Sequence, residues 1–82
     1  MAVHGKTVMI TGASRGIGEA AAEVFADAGA NVVLLARSEG DIGEIAARIG
    51  ARALAVRCDV ANFQDVERAV AAARDAFGTV DI

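Results

Sequence analysis

Three apolar runs of strand length alternate with three segments of helical periodicity along this chain. The runs cover residues 7–10, 31–36 and 53–58, and in the segment after each one apolar residues recur every three or four positions. Strands and helices that alternate with short connections imply parallel strands joined by right-handed crossovers. The pattern therefore predicts the α/β class, with a parallel sheet and helices flanking it.

The three helical segments have predicted apolar faces and boundaries. The faces comprise Ile17, Ala20, Ala21, Val24, Phe25 and Ala28 in the first segment, Ile42, Ile45, Ala46 and Ile49 in the second, and Phe63, Val66, Val70, Ala73 and Phe77 in the third. A glycine follows each segment and is the predicted helix stop. Asp41 and Glu44 have the spacing of a capping box for the second helix, and Asn62 is the predicted N-cap of the third.

Size and charge exclude several classes of protein. At 82 residues there is room for one domain, and net charge −3 disfavours binding to nucleic acid or to an anionic membrane. Cys58 is the single cysteine, so no internal disulfide can form, and no apolar run is long enough for a signal peptide or a membrane span. We therefore expect a cytoplasmic protein in which Cys58 is a small buried strand residue and His4 is solvated.

The turn between the first strand and the first helix reads TGASRGIG over residues 11–18. Gly12 permits backbone angles that other residues avoid, and Gly16 and Gly18 remove Cβ atoms that would block a close approach. The free N–H groups of the helix start and the positive end of its dipole form an anion site suited to a pyrophosphate. One glycine there would be explained equally well as an ordinary turn, but three between a strand and a helix favour a phosphate site.

The spacing of these glycines points to one family. It is not the G-x-x-x-x-G-K-[ST] of P-loop NTPases, nor the G-x-G-x-x-G of the general dinucleotide fingerprint. TGASRGIG is similar to the T-G-x-x-x-G-x-G loop of short-chain dehydrogenases/reductases, and GKTVMITG, the AR after VVLL, and CDV resemble that family's first three strands. The resemblance covers nearly the whole chain. It implies that residues 1–82 form a partial Rossmann-like dinucleotide-binding domain, the βαβαβα portion of a doubly wound fold.

The resemblance also implies which residues touch the dinucleotide. Asp59 would accept a hydrogen bond from the adenine amino group, and Val60 would form a wall of the adenine pocket. Without the resemblance, Asp59 would be interpreted as a cap just beyond a strand. The loop residues implied to contact the cofactor are Gly12, Ser14, Gly16, Gly18 and, through its backbone N–H, Ile17.

Two arginines favour NADP(H) as the cofactor. Sites that prefer NAD usually place an acidic residue at the end of the second strand, where this chain has Ala36 and Arg37. A guanidinium there can pair with the 2′-phosphate of NADP, and the resemblance places Arg15 on the other side of that phosphate. Either arginine alone would more often be solvated surface, but two of them beside one predicted pocket in an acidic chain favour NADP(H).

The implied reaction is hydride transfer between NADP(H) and a small-molecule carbonyl or alcohol. In the family a Tyr-x-x-x-Lys pair supplies the acid–base tyrosine and the lysine that lowers its pKa, and a serine polarises the substrate carbonyl. This chain contains no tyrosine, and Lys6 is its only lysine. No catalytic or metal-ligating residue is therefore assigned. Residues 80–82 look like the start of a fourth strand, so we expect a longer protein, and we also expect a homo-oligomer. If residues 1–82 stood alone, the edge of the first strand would be unpaired and would invite association.

Two other hypotheses remain open from the sequence. One is a natural or engineered module that binds a nucleotide without catalysis. The other is a different α/β enzyme, such as a methyltransferase that uses a glycine loop for an adenosyl cofactor without phosphates, although the paired arginines speak against it.

Overall fold

The computed structural model describes residues 3–13 and 16–81, and it confirms the predicted alternation. The elements are β1 (Thr7–Thr11), α1 (Gly16–Asp27), β2 (Asn31–Ala36), α2 (Glu39–Ile49), β3 (Ala53–Arg57) and α3 (Phe63–Phe77). The strands match their predicted bounds to within one residue, because runs of apolar and β-branched residues end abruptly at polar residues or glycines.

The three strands are parallel and lie in the order β1-β2-β3. Thr11 is in register with Leu35, and Ala36 is in register with Arg57. All three strands therefore end at the same edge of the sheet. The topology is the predicted Rossmann-like one, and it brings together the residues that follow each strand.

Alternate residues of β2 build a core on each face of the sheet. Val32 and Leu34 pack with Ile42 of α2 and Ala22 of α1, whereas the neighbouring strand residues pack on the other side with α3. The contacts on that second side involve Val33, Leu35, Cys58, Ala69 and Ala73. Side chains of a strand alternate between its two faces. Because both faces of β2 are buried, all of its positions favour apolar residues, which explains why β2 is a continuous apolar run.

The predicted apolar faces of α1 and α3 are wrong in part. In α1 the fully buried residue is Ala22, which was not in the predicted face, whereas Val24 and Ile17 are exposed. In α3 the fully buried apolar residues are Ala69 and Ala73, and the predicted Val66 and Phe77 pack beside them while partly exposed. The predicted Phe63, at the first position of the helix, is 74% exposed. Small residues allow a helix to lie close to the sheet, so the larger apolar residues beside them need not point inward.

The helix ends agree with the prediction except at the start of α2. That helix begins after Ser38, so Asp41 is already in its first turn, and the capping box predicted from Asp41 and Glu44 is wrong. The hydroxyl of Ser38 donates instead to the Asp41 carboxylate over 3.3 Å. Asn62 is confirmed as the N-cap of α3, because its side chain accepts a hydrogen bond from a backbone N–H of the first turn.

After α3 the chain returns to β1. The backbone N–H of Asp81 donates to the carbonyl of Thr7 over 3.0 Å, and the Asp81 carboxylate accepts the Thr7 N–H, also over 3.0 Å. This edge of β1 is the one where the sequence predicts a fourth strand. Within the described ranges, no helix has the length and apolar content needed to cross a membrane.

Candidate functional site

An open cleft of about 500 Å³ lies at the edge of the sheet where the three strands end. Ligands of open α/β sheets bind outside the carboxyl ends of the strands, so this is the expected position for a site. The cleft is lined by Thr11, Gly12, Leu35, Ala36, Arg37, Ser38, Cys58, Asp59 and Val60. Four of the residues that the sequence singles out, Gly12, Arg37, Asp59 and Val60, therefore share one cavity.

The glycine turn between β1 and α1 has the backbone freedom that the sequence predicts. Gly12 and Gly16 have φ values of 62° and 64°, in the left-handed region that favours glycine. At Gly16 no atom of the described residues lies within 4 Å of a would-be Cβ, so the positive φ rather than crowding requires glycine. The close approach of a phosphate that the sequence predicts at Gly16 stays a prediction.

Gly18 is required for a different reason. A Cβ atom at this position would lie 2.9 Å from the carbonyl carbon of Gly12 and closer still to its oxygen. The close approach that the sequence predicts at Gly18 is therefore made by the chain's own backbone. It holds the start of α1 against the turn, so that the turn and the helix form one unit.

The first turn of α1 faces the end of β1 with free backbone donors. The helix begins at Gly16, so the N–H groups of Gly16, Ile17 and Gly18 have no partner within the helix. The side chain of Ile17 is 89% exposed, so only the backbone of this residue belongs to the packed turn. The buried Ala13 ties the turn to β2 through its N–H, which donates to the Leu35 carbonyl over 3.2 Å. Ser14 and Arg15, also predicted to contact the cofactor, lie outside the described residues.

The end of β2 presents a positive charge to the cleft. Arg37 is exposed and lines the cleft. Ala36 is the last residue of β2, and its carbonyl accepts the N–H of Cys58 over 2.9 Å. Asp59 supplies the one carboxylate among the residues that line the cleft.

The turn after β3 is closed by hydrogen bonds centred on Asp59. Its carbonyl accepts the N–H of Asn62 over 2.9 Å, and its Oδ1 accepts the N–H of Ala61 over 3.0 Å. Its own N–H donates to the carboxylate of Asp65 over 3.0 Å. Val60 is 60% exposed and lies beside Asp59 in the wall of the cleft. The turn therefore presents a carboxylate and an apolar side chain next to each other.

Asp65 is a buried carboxylate beneath this turn that the sequence interpretation did not identify. It is only 6% exposed, and Arg68 of the same helix donates to its Oδ1. An aspartate three residues after an N-cap is ordinarily interpreted as part of the helix start. The available signal was the N-x-x-D spacing from Asn62, but that spacing does not reveal the bond to Asp59.

Cys58 lies in the lining of the cleft and is buried, as predicted, although β3 ends one residue earlier, at Arg57. Burial raises the pKa of its thiol, and the nearby carboxylates of Asp65 and Asp59 raise the pKa further. A thiol with a raised pKa stays protonated near neutral pH and is a poor nucleophile. The prediction that Cys58 is a packing residue is confirmed. His4 is exposed, as predicted.

A second cleft of about 570 Å³ lies between α1 and α2. Arg48 of α2 donates to Glu19 over 2.9 Å and to Glu23 over 2.6 Å, and Arg52 donates to the Gly29 carbonyl over 2.7 Å. The residues that line this cleft lie in the C-terminal half of α1 and at or just after the C-terminal end of α2, away from the carboxyl ends of the strands. Their charges pair with one another, so we interpret this cleft as a contact between helices.

The parallel sheet and the glycine turn that leads into a helix define a Rossmann-like α/β protein. The sequence model of the family described as short chain dehydrogenase matches residues 6–82. The chain belongs to that family, and the resemblance drawn from TGASRGIG is confirmed.

Individual relatives give the same result. The chain is 48% identical over 81 residues to oxidoreductase UcpA of Salmonella typhimurium, covering 95% of this chain and 30% of that protein. It is 46% identical over 84 residues to L-rhamnose 1-dehydrogenase (NAD(P)(+)) of Azotobacter vinelandii, covering 94% and 33%. A crystal structure of 3-ketoacyl-(acyl-carrier-protein) reductase from Brucella melitensis complexed with NADH superimposes with a TM-score of 0.94 at 44% identity, covering 98% and 33%. The chain thus spans about a third of the length of these relatives.

Proposed function

We propose that the cleft at the carboxyl ends of β1, β2 and β3 holds the adenosine half and the pyrophosphate of NADP(H). The observation that carries the proposal is that Gly12, Arg37 and Asp59 line the same cleft although they follow three different strands. The volume of about 500 Å³ is within the range of cofactor pockets. The Brucella reductase, whose structure contains NADH, supports a nicotinamide dinucleotide as the ligand.

The residues present fit the parts of such a cofactor. The pyrophosphate would lie against the first turn of α1, where free N–H groups and the helix dipole attract an anion. Gly12 and Gly16 have no Cβ atom, and no other part of the described structure fills the space where one would lie. A phosphate could therefore approach the backbone of the turn. Adenine would lie between Val60 and the carboxylate of Asp59, which can accept a hydrogen bond from its amino group.

The charge at the end of β2 supports NADP(H) over NAD(H). Arg37 is exposed in the cleft, and Ala36 stands where an acid would repel a 2′-phosphate. The relatives do not decide between NADP(H) and NAD(H). The name of the L-rhamnose 1-dehydrogenase includes NAD(P)(+), and the Brucella reductase was solved with NADH. We expect Arg15 to contribute a second, smaller attraction.

The reaction that follows from this site is hydride transfer between NADP(H) and a carbonyl or alcohol, in an oxidoreductase that acts on a small molecule. When bound, the cofactor supplies the hydride, while the residues described here bind and orient it. A separate acid must protonate the developing alkoxide. No residue of this chain is assigned that role. The cytoplasmic location and the homo-oligomer stay predictions from the sequence.

A nucleotide-binding module without catalysis is the second candidate. It would use the same cleft. An assay of carbonyl reduction with NADPH by the intact gene product separates the two candidates, because the module would bind the cofactor without consuming it. The methyltransferase hypothesis is abandoned, since the family match favours a dinucleotide.

Calorimetric titration of the intact gene product with NADPH and with NADH tests the cofactor proposal. We expect both to bind, and NADPH to bind more tightly. Equal affinities would remove the preference assigned to Arg37. If neither cofactor binds at millimolar concentration, the cleft is not a dinucleotide site.

A further inference from the structure

We propose that Asp65 is a positioning residue for cofactor binding, whose buried carboxylate fixes the backbone of Asp59 and thereby shapes the turn that faces adenine. The inference rests on the proposed function of the cleft. Asp65 does not line the cleft itself, so its effect would pass through Asp59.

Every polar group of Asp65 is engaged. Its Oδ2 accepts the N–H of Asp59 over 3.0 Å, its Oδ1 accepts from Arg68, and its own N–H donates to Asn62 Oδ1 over 3.1 Å. A carboxylate that is 6% exposed is costly unless it is hydrogen-bonded, so the donors around it must be held in place. This makes Asp65 a rigid point beneath the turn.

The bond to Asp59 departs from ordinary helix capping. In a capping box the side chain three residues into the helix accepts the N–H of the N-cap residue. Here the N–H of Asn62, the N-cap, donates instead to the carbonyl of Asp59 over 2.9 Å. The carboxylate of Asp65 reaches past the N-cap to a residue three positions further upstream. One carboxylate oxygen therefore accepts from the turn, while the other accepts from Arg68 of the helix.

The backbone position of Asp59 depends on its hydrogen bond to Asp65, because Asp59 lies beyond the end of β3 and makes no sheet hydrogen bond through its N–H. Cys58 donates its N–H to Ala36, which is the last backbone link between the two strand ends. The next N–H, that of Asp59, is held by Asp65 alone among the described residues. Asp59 Oδ1 is occupied by Ala61, and within the described part of the chain Oδ2 has no donor. Oδ2 is thus the atom available to the adenine amino group, and Asp65 sets where it lies.

The test is the affinity of the intact gene product for ADP, which contains adenine and the diphosphate without nicotinamide. D65A should weaken ADP binding about tenfold, because it removes the acceptor that holds the Asp59 N–H and orders the turn. N62A is the matched control, because it removes the cap of the same helix and leaves the Asp65 to Asp59 bond intact. We expect N62A to lower the melting temperature and to change ADP affinity less than about twofold.

Two further variants separate geometry from charge. D65N loses the charge but keeps an oxygen at the same distance from the backbone, so it should bind ADP nearly as well as the wild type. D65E keeps the charge in the first turn of α3 but moves the carboxylate by one methylene group, so it should bind ADP more weakly than D65N. A role limited to favourable charge at a helix N-terminus predicts the opposite order. If D65A does not fold, the order of ADP affinities of D65N and D65E still shows whether Asp65 acts through the position of its oxygen or through its charge.

Hydrogen exchange gives a readout that does not depend on the ligand. The amide of Asp59 should exchange faster in D65A than in N62A. If D65A and N62A bind ADP with equal affinity and their Asp59 amides exchange at equal rates, Asp65 only stabilises the helix and the inference is wrong. If the wild type binds no ADP, the proposed function is wrong and the inference falls with it. Binding by the wild type with no loss in D65A overturns the inference alone.

Discussion

Gly18, in the first turn of α1, lies against the backbone carbonyl of Gly12, so closely that a Cβ atom there would come within 2.9 Å of the carbonyl carbon. A backbone carbonyl in a tight turn cannot move aside as the end of a long side chain can. The glycine turn and the helix therefore hold their relative position through a contact that any larger residue would break.

Gly18→Ala should lower the free energy of unfolding by about 1–3 kcal/mol, the usual cost of forcing an extra carbon into a packed site. Gly43→Ala is the matched control, because Gly43 lies in α2 with no described atom within 4 Å of a would-be Cβ. That change should stabilise the protein by about 0.5–1 kcal/mol, since alanine is the better helix former. Urea denaturation of both variants measures the difference. Opposite signs are expected, and a neutral Gly18→Ala would contradict the close contact.

Asp81→Ala should also destabilise the fold, because the N–H of the fully buried Thr7 would lose its acceptor. An unsatisfied buried N–H costs about 1–3 kcal/mol. Asp75→Ala is a suitable control, as Asp75 is an exposed carboxylate on α3 and its loss should change the unfolding free energy by less than about 0.5 kcal/mol. Equal effects of the two changes would show that the Asp81 carboxylate contributes little at the edge of β1.

Cys58 should react slowly with a thiol reagent at about pH 8 in the native protein and rapidly after unfolding. The reason is that burial raises the pKa of its thiol in the folded state. Between the unfolded and the folded pKa the folded state therefore binds more protons, so the free energy of unfolding should decrease as pH rises above about 8.5. Cys58→Ala should remove that part of the decrease. Fast labelling of the native protein would contradict the buried, protonated thiol.

Arg37→Asp should reverse the cofactor preference from NADPH to NADH. The change removes a charge-assisted hydrogen bond worth about 1.5–3 kcal/mol and adds repulsion toward the 2′-phosphate. Arg74→Asp makes the same change in charge near the far end of α3, a helix of 15 residues that is about 22 Å long, and should leave the ratio unchanged. Arg15→Ala should weaken the preference less than Arg37→Asp. An unchanged ratio in Arg37→Asp would show that Arg37 is only a surface residue.

The sequence predicts the strands and the cleft well, and the reasons are local. β2 is buried on both faces and therefore appears as one apolar run from Asn31 to Ala36. Parallel strands must end at one edge, so the meeting of Gly12, Arg37 and Asp59 follows once the alternation is recognised. The left-handed φ of Gly12 follows from the turn that connects a strand to a helix.

Helix faces and indirect contacts are harder to predict. The first helical segment contains more apolar residues than its buried face needs, so periodicity does not show that Ala22 rather than Val24 turns inward. The pairing of Asp65 with Asp59 joins a helix to a turn six residues earlier, and it depends on where the end of β3 places the backbone. Neither arrangement is set by spacing along the chain alone.

Amide hydrogen exchange of the wild-type gene product, with and without saturating NADPH, tests the placement of the cofactor most directly. A dinucleotide in the proposed cleft predicts slower exchange over residues 12–18, 36–38 and 58–61, which form the glycine turn and the ends of β2 and β3. The second cleft, with Glu23, Arg48 and Arg52 in its lining, should be unaffected. Slower exchange confined to that second cleft, or no change at any of these residues, would contradict the proposed site.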